Sequence, residues 1–229
     1  MAKRLAYFSA GLAFFAAAAI GSAAPASASM TFRLEATGDV AKCHNRCPRV
    51  IVANGEIGRS TPDDFVRFIR RHIRDKRMRP IVFVHSPGGL VTASMRLGLL
   101  FRKIGAAVVV AQIRQPAGGR GDTIFTSAKC FSACVYALMG AKKRVVPPQS
   151  SVVVHRMFTY ELLGDVESGA THLQKTYRND KLYGDLTRYA RMMGVSSSVI
   201  HAAESTPPGQ VRVISQKEIR KWRLGVSKF

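Results

Sequence analysis

Residues 81–103 read IVFVHSPGGLVTASMRLGLLFRK. The first four positions, Ile81–Val84, form a continuous apolar run with no polar alternation, which predicts a strand buried on both faces. Pro87, Gly88 and Gly89 then break the chain. Leu90 onward repeats apolar residues at helical spacing. The stretch is therefore a strand, a sharp turn and a helix. Working outward, RVIVANGEI (residues 49–57) is a second apolar strand ending in a glycine turn. Between the two lies STPDDFVRFIRRHIRDKRMR, where Thr61 offers a cap, Pro62 suits the first helical position, and Asp63 and Asp64 favour the positive end. Phe65, Phe68, Ile69, His72 and Ile73 are expected on one face of that helix. AAVVVAQI (residues 106–113) reads as a third strand. Strands and helices alternating at short spacing predict an α/β fold whose parallel strands are covered by helices.

Further along, QPAGGRGDTIFTSAK is a glycine-rich loop, and SACVYALMGAKK is helical. RVVPPQSSVVVHRM gives two short strands about a Pro-Pro turn. The spacing from Thr171 to Met193 predicts one long helix. VSSSVIHAAES is a short helix with a serine cap, and VRVI is a strand. Ser215 and Glu218 form a capping box for a last helix that ends near Gly225. Neither Gly-Gly pair is followed by Gly-Lys-Ser/Thr, so neither is a phosphate-binding P-loop.

The N-terminal region reads as a leader rather than as fold. Lys3 and Arg4 precede 16 uncharged residues, Leu5–Ile20, and then GSAAPASAS. A basic start, a short apolar run and small residues at Ala26-Ser27-Ala28 predict an export signal cleaved after Ala28. The run falls short of the roughly 20 residues that span a bilayer. The expected organisation is a signal peptide over 1–28 and one domain over 29–229, placed in the periplasm or secreted. The chain carries 35 Lys and Arg against 14 Asp and Glu, a formal charge of +21, which falls to +19 without the leader. Outside the cytoplasm such a charge would meet anionic lipid heads, cell-wall polymers and acidic proteins rather than nucleic acid. The simpler reading is a solvated basic surface, with contact to an anionic membrane or cell-wall surface as the alternative.

Four cysteines, Cys43, Cys47, Cys130 and Cys134, suit disulfides in an oxidising compartment, with three pairings open. CHNRC looks like a local loop. Within a regular helix the Cβ atoms of Cys130 and Cys134 would stand about 6 Å apart, whereas a disulfide needs about 3.8 Å. That pair therefore requires a non-helical Cys130 or other partners. A zinc site with His44 is the alternative, but two C-x3-C pairs are poor zinc spacing. No metal and no cofactor is expected.

The chemistry gathers around Ser132. Acyl transfer by serine needs a nucleophile, a base and donors for the oxyanion. Ser132 opens an apolar helix, and the N–H of Ala133 follows it. Gly88 and Gly89 end a strand and open a helix, so their backbone N–H groups are candidate donors. His155 ends the apolar strand SSVVVH, 23 residues beyond the serine. It is the candidate base. The bland readings are a serine cap, a turn and a structural histidine.

Order and spacing resemble the Clp protease proteolytic subunit, within the Clp/crotonase superfamily. VANGEI, IVFVHSPGGLVTASMRLGLLFRK, SACVYALMGAKKRVVPPQSSVVVHRM and VISQKEIRKWRLGV carry the likeness, which spans most of residues 50–226. The resemblance implies a repeated ββα superhelix and a homo-oligomer. It implies hydrolysis of peptide bonds in a peptide or protein substrate. Ser132 would be the nucleophile, His155 the general base, and the N–H groups of Gly89 and Ala133 the oxyanion hole. Departures accompany it. Val211 stands where the family has its triad aspartate, and Glu204 is the nearest upstream acid, expected to reach in from the short helix. Ala133 and Cys134 replace the usual bulky residue and glycine. The export signal separates the chain from the ATPase-coupled cytoplasmic subunit. Signal peptide peptidases share the fold with a serine–lysine pair, for which Lys175, expected on the long helix, is the candidate. The competing readings are an inactive binding or assembly module with Ser132 as a cap, and a crotonase-like hydratase or thioesterase. An exported protein has little access to the acyl-CoA that the latter needs.

Overall fold

The computed structural model describes residues 28–44, 46–116, 121–165, 170–177 and 180–228. Apart from Ala28, the expected leader lies outside the described residues. The chain opens with β1 (Thr31–Ala36), the one-turn α1 (Val40–Cys43), β2 (Arg49–Asn54), α2 (Thr61–His72), β3 (Met78–His85), α3 (Val91–Lys103) and β4 (Ala107–Val109). Next come β5 (Ala111–Arg114), β6 (Ile124–Ser127), β7 (Lys129–Phe131), α4 (Cys134–Gly140), β8 (Lys143–Val145) and β9 (Ser151–Val154). The last elements are β10 (Thr159–Asp165), β11 (Ala170–Thr176), α5 (Asp180–Met192), α6 (Ser198–Glu204), β12 (Arg212–Ile214) and α7 (Gln216–Lys221).

The main sheet has the order β1-β2-β3-β4-β8. β1 is antiparallel to β2, and the other pairs are parallel, with Ile51 beside Val82, Val82 beside Val108 and Val108 beside Arg144. A second, smaller layer takes the chain just after each of these strands. Ile57 bridges Gly89, Ser86 bridges Cys130, β7 runs parallel to β9, and β12 is antiparallel to β9. Each turn thus gives one strand to the main sheet and a shorter piece to the second layer before a helix returns. This is the α/β architecture of parallel strands covered by helices that the sequence alternation predicts.

Between the sheets and helices the core is apolar and closed. Phe65 and Phe101 are each 1% exposed and meet edge to face at 5.1 Å, with Phe32 against Phe65 at the same distance. Burying each such ring contributes about 1.5–3 kcal/mol. α4 crosses α3 where both carry glycine. A Cβ on Gly140 would fall onto the backbone of Gly98, and one on Gly98 onto the Tyr189 hydroxyl. That hydroxyl donates to the Tyr136 carbonyl at 2.9 Å. The small residues of MRLGLL and YALMG therefore set how closely the helix behind Ser132 docks.

Several expectations are corrected. No helix runs from Thr171. Residues 159–165 and 170–176 form the antiparallel pair β10–β11, with Tyr160 opposite Lys175, and the helix starts only at Asp180. The 106–113 run divides into β4 and β5, separated by Val110, which bonds to Val145. The glycine-rich loop contains β6 and ends at the first residue of β7. Thr61 does not cap α2 but accepts the Gly58 N–H at 2.9 Å. Ile73 follows the end of α2 and is 67% exposed. The capping box of Ser215 and Glu218 is present, with the Ser215 N–H donating to Glu218 Oε2 at 2.9 Å.

Candidate active site around Ser132

β3, β7 and β9 lie side by side and parallel through the Ser86–Cys130 bridge and the Phe131–Val153 register. Their C-terminal ends therefore deliver the Pro-Gly-Gly turn, Ser132 and His155 to one edge. The Ser132 N–H donates to the Val153 carbonyl at 2.8 Å, and Phe131 N–H to the Ser86 carbonyl at 3.0 Å. Ser132 is half-buried, as is His155. It is a non-glycine residue at φ +54°, one of three among the described residues. The left-handed region is unfavourable for a residue with a Cβ by about 1–2 kcal/mol. Such conformations persist where the surroundings impose them, and they gather at functional sites. Here the reversal ends β7 and starts α4 within two residues, which lifts the serine out of the strand.

The glycine turn presses directly on this reversal. Gly88, at φ +105°, has no room for a side chain, because a Cβ would lie 2.8 Å from the Ser132 Cβ and 3.1 Å from the Ala133 nitrogen. The Gly88 N–H is donated to Ser86 Oγ at 3.1 Å. It is therefore occupied. The neighbouring Gly89 is a different case. Ile57 takes the carbonyl of Gly88 and the N–H of Leu90, and among the described residues the N–H groups of Gly89 and Ala133 have no acceptor. Of the three candidate donors, Gly89 and Ala133 are left for an oxyanion.

His155 Nδ1 lies 2.7 Å from the Arg156 carbonyl oxygen. A carbonyl only accepts, so Nδ1 carries the proton and Nε2 holds the lone pair a general base needs. The ring rests between Phe131, at 5.7 Å, and Phe158, at 6.2 Å between centroids. Among the described residues Ser132 Oγ and His155 share no hydrogen bond; such contacts are often long in unliganded sites.

Glu204 does not hold the imidazole. Its Oε1 accepts the Met157 N–H at 3.1 Å, and its backbone carbonyl accepts Arg156 Nε at 2.7 Å. It braces the segment that follows His155, because the extended chain there turns the Met157 N–H towards α6. Burial raises its carboxyl above the ordinary value, against the pull of that N–H, Arg156 and His155. The β9–β12 register sets Arg212 opposite Val154. Val211, just before β12, is 56% exposed, and its side chain has no acceptor for an imidazole N–H. Lys175 stands on β11, not on a helix, with Nζ 4.7 Å above the Phe158 ring and 5.9 Å from that of Tyr160. The lysine is thus one aromatic ring removed from His155.

All four cysteines are in disulfides. Cys43 bonds to Cys47 and Cys130 to Cys134, with Cα–Cα distances of 5.2 and 5.3 Å. Cys130 is on a strand, which meets the geometric condition drawn from the sequence. The cysteines that flank Ser132 bond across it rather than elsewhere. Bonded sulfurs are not thiolate ligands, so the zinc reading fails on this donor set. Sequence reasoning missed the Arg156 carbonyl and the aromatic wall of Phe158, Tyr160 and Tyr177. It also missed His85, whose Nδ1 accepts the Lys129 N–H at 3.1 Å in an open cleft of ≈ 570 Å³ beside Pro87 and Phe131. Burial, and then Lys129, lower its pKa.

No family model matches the chain, and no curated protein matches it. Two solved structures are similar to it. One is a 1510-N membrane-bound stomatin-specific protease carrying a serine-to-alanine mutation, with 17% identity and a TM-score of 0.49 over 79% of this chain and 78% of that one. The other is the same protease with a lysine-to-alanine mutation, in complex with a substrate peptide, with 17% identity and a TM-score of 0.46 over 79% and 74%. At that identity the likeness is one of chain path and extends to neither residue roles nor substrate.

Proposed function

We propose that this chain is an exported serine peptidase-like hydrolase acting on peptide or protein substrates. The observation that carries the reading is the left-handed Ser132, pressed between the Gly88–Gly89 turn and the unclaimed Ala133 N–H. In this reading Ser132 Oγ attacks the acyl carbon and His155 Nε2 takes its proton. The oxyanion receives the N–H groups of Gly89 and Ala133. The imidazolium then gives the proton to the leaving amine, and water, deprotonated by the same nitrogen, frees the acyl group from Ser132. Two disulfides support an oxidising compartment. The homo-oligomer belongs to the same proposal through the family resemblance. Labelling of purified protein by a fluorophosphonate tests the chemistry. Wild type and Lys175→Met should react, and Ser132→Ala and His155→Ala should not.

A second reading is favoured by the position of Lys175 over Phe158. If the β10–β11 pair moves that amine past the ring, lysine replaces histidine as the base. Under it, Lys175→Met abolishes labelling and His155→Ala leaves it. Absence of labelling in folded wild type would support the inactive binding or assembly module.

A further inference from the structure

The Cys130–Cys134 bond encloses three residues: Phe131, whose ring faces His155, Ser132, and Ala133, whose N–H is an oxyanion donor. Both cysteines are 0% exposed. Cys130 is fixed on its two sides, by the bridge to Ser86 and by Val152 of β9, and Cys134 is the first residue of α4. The bond therefore ties the last buried residue of a strand to the first residue of a helix, across a reversal that Ser132 does not prefer. A sequence separation of only four residues restrains the unfolded chain little compared with long-loop disulfides. Its main effect is local. The other pair, Cys43–Cys47, has the same separation but closes the turn after α1. It serves as a control of equal ring size.

We propose that the Cys130–Cys134 disulfide holds Ser132 in its left-handed conformation, so that both cysteines are positioning residues for the nucleophile and the site is competent only when they are bonded. The inference rests on the reading of Ser132 as nucleophile. Reduction by a trialkylphosphine would release the reversal. Two electrons from phosphorus and two protons convert the disulfide to two thiols, and the phosphine leaves as its oxide with oxygen from water. The chain at 130–134 would then be free to relax towards ordinary helical φ at Ser132. That would rotate Oγ and the Ala133 N–H away from the gap facing Gly89.

The test compares rates of fluorophosphonate labelling in the full chain. Cys130→Ala/Cys134→Ala should label about 10²-fold more slowly than wild type, the scale of a misplaced reacting group, while its circular dichroism stays native. Cys43→Ala/Cys47→Ala should label at the wild-type rate. A folded Cys130→Ala/Cys134→Ala variant that labels at the wild-type rate overturns the proposal. Should that variant not fold, the folded Cys43→Ala/Cys47→Ala protein is treated with the phosphine below its melting temperature. Thiols are then counted by mass after alkylation. Labelling should fall in step with thiol formation and return on reoxidation of an unalkylated sample. A bond that served stability alone would lower Tm and leave the labelling rate of still-folded molecules unchanged. Labelling that persists in molecules with both thiols free likewise refutes the idea. Wild type that never labels sinks the nucleophile reading itself, whereas labelled wild type with an indifferent disulfide sinks only this inference.

Discussion

A neutral carbonyl stands where a triad places a carboxylate. The Arg156 oxygen fixes the His155 tautomer, as an acid would, but brings no charge to offset the imidazolium. Loss of the acid in a full triad lowers kcat by about 10⁴, so the proposed mechanism predicts slow acylation. Glu204, the nearby acid, is bonded to the Met157 N–H. Burial raises its pKa above 4.5. Below 4.5 both folded and unfolded chains hold the proton, and the stabilising contribution of the neutral carboxyl is complete. As pH rises through the raised folded value, that contribution is lost. Glu204→Gln keeps a neutral side chain at every pH. Its Tm relative to wild type should therefore increase between pH 4 and pH 7 in paired thermal melts. A difference that does not vary with pH would contradict burial as the dominant influence on this carboxyl.

Elements hold the site by close approach. α4 follows directly on Ser132 and Ala133 and is buried along its whole length, from Cys134 to Gly140. Its approach to α3 depends on Gly98 and Gly140 having no side chains. Gly140→Ala should lower stability by about 2–3 kcal/mol, as overpacked cores do. In a chain of this size that is a Tm loss of about 5–10 °C, read by differential scanning calorimetry. An unchanged Tm would mean that the two helices can separate without penalty. Gly88→Ala acts on the site itself, since the new methyl would meet Ser132 Cβ and Ala133 N at a positive φ. It should reduce fluorophosphonate labelling more than about tenfold, with the circular dichroism spectrum retained.

Across the whole molecule, topology sorts charge. β2, β3, β4 and β8 are parallel, so their N-terminal ends share one edge, opposite the edge that carries Ser132. Arg79 and Lys143, both exposed, lie at those ends, with Arg49, which is paired with Asp75 at 3.0 Å. α2 returns to the same edge, bringing Arg70, Arg71 and Arg74, all exposed, with Ile73 67% exposed among them. Exposed arginines around an exposed Ile73 suit an anionic lipid surface, with each nearby charge worth about 1 kcal/mol. Vesicles containing phosphatidylglycerol should sediment the protein, and phosphatidylcholine vesicles should not. Reversing Arg70, Arg71 and Arg74 to Glu should weaken binding more than about tenfold. Equal binding by the variant would show that the charge is spread without function.

What the sequence by itself determined was local. Continuous apolar runs specified the buried parallel strands, and SPGG specified the turn. Ser215 with Glu218 specified a cap, because neighbours along the chain supply both partners. Ser132 and His155 were legible as candidates from their places at element ends. The tertiary structure decided what depends on distant partners. Residues 159–165 and 170–176 became paired strands because strand pairing, not helical spacing, satisfies their backbone, and Lys175 lies on the second of them. The pairing of Cys130 with Cys134 followed from β7 being held between Ser86 and β9. The left-handed Ser132, the filled Gly88 N–H and the carbonyl on His155 are likewise products of packing. A sequence pattern records which residues are apolar, small or turn-forming; it does not record which backbone groups remain unpaired once the sheets close.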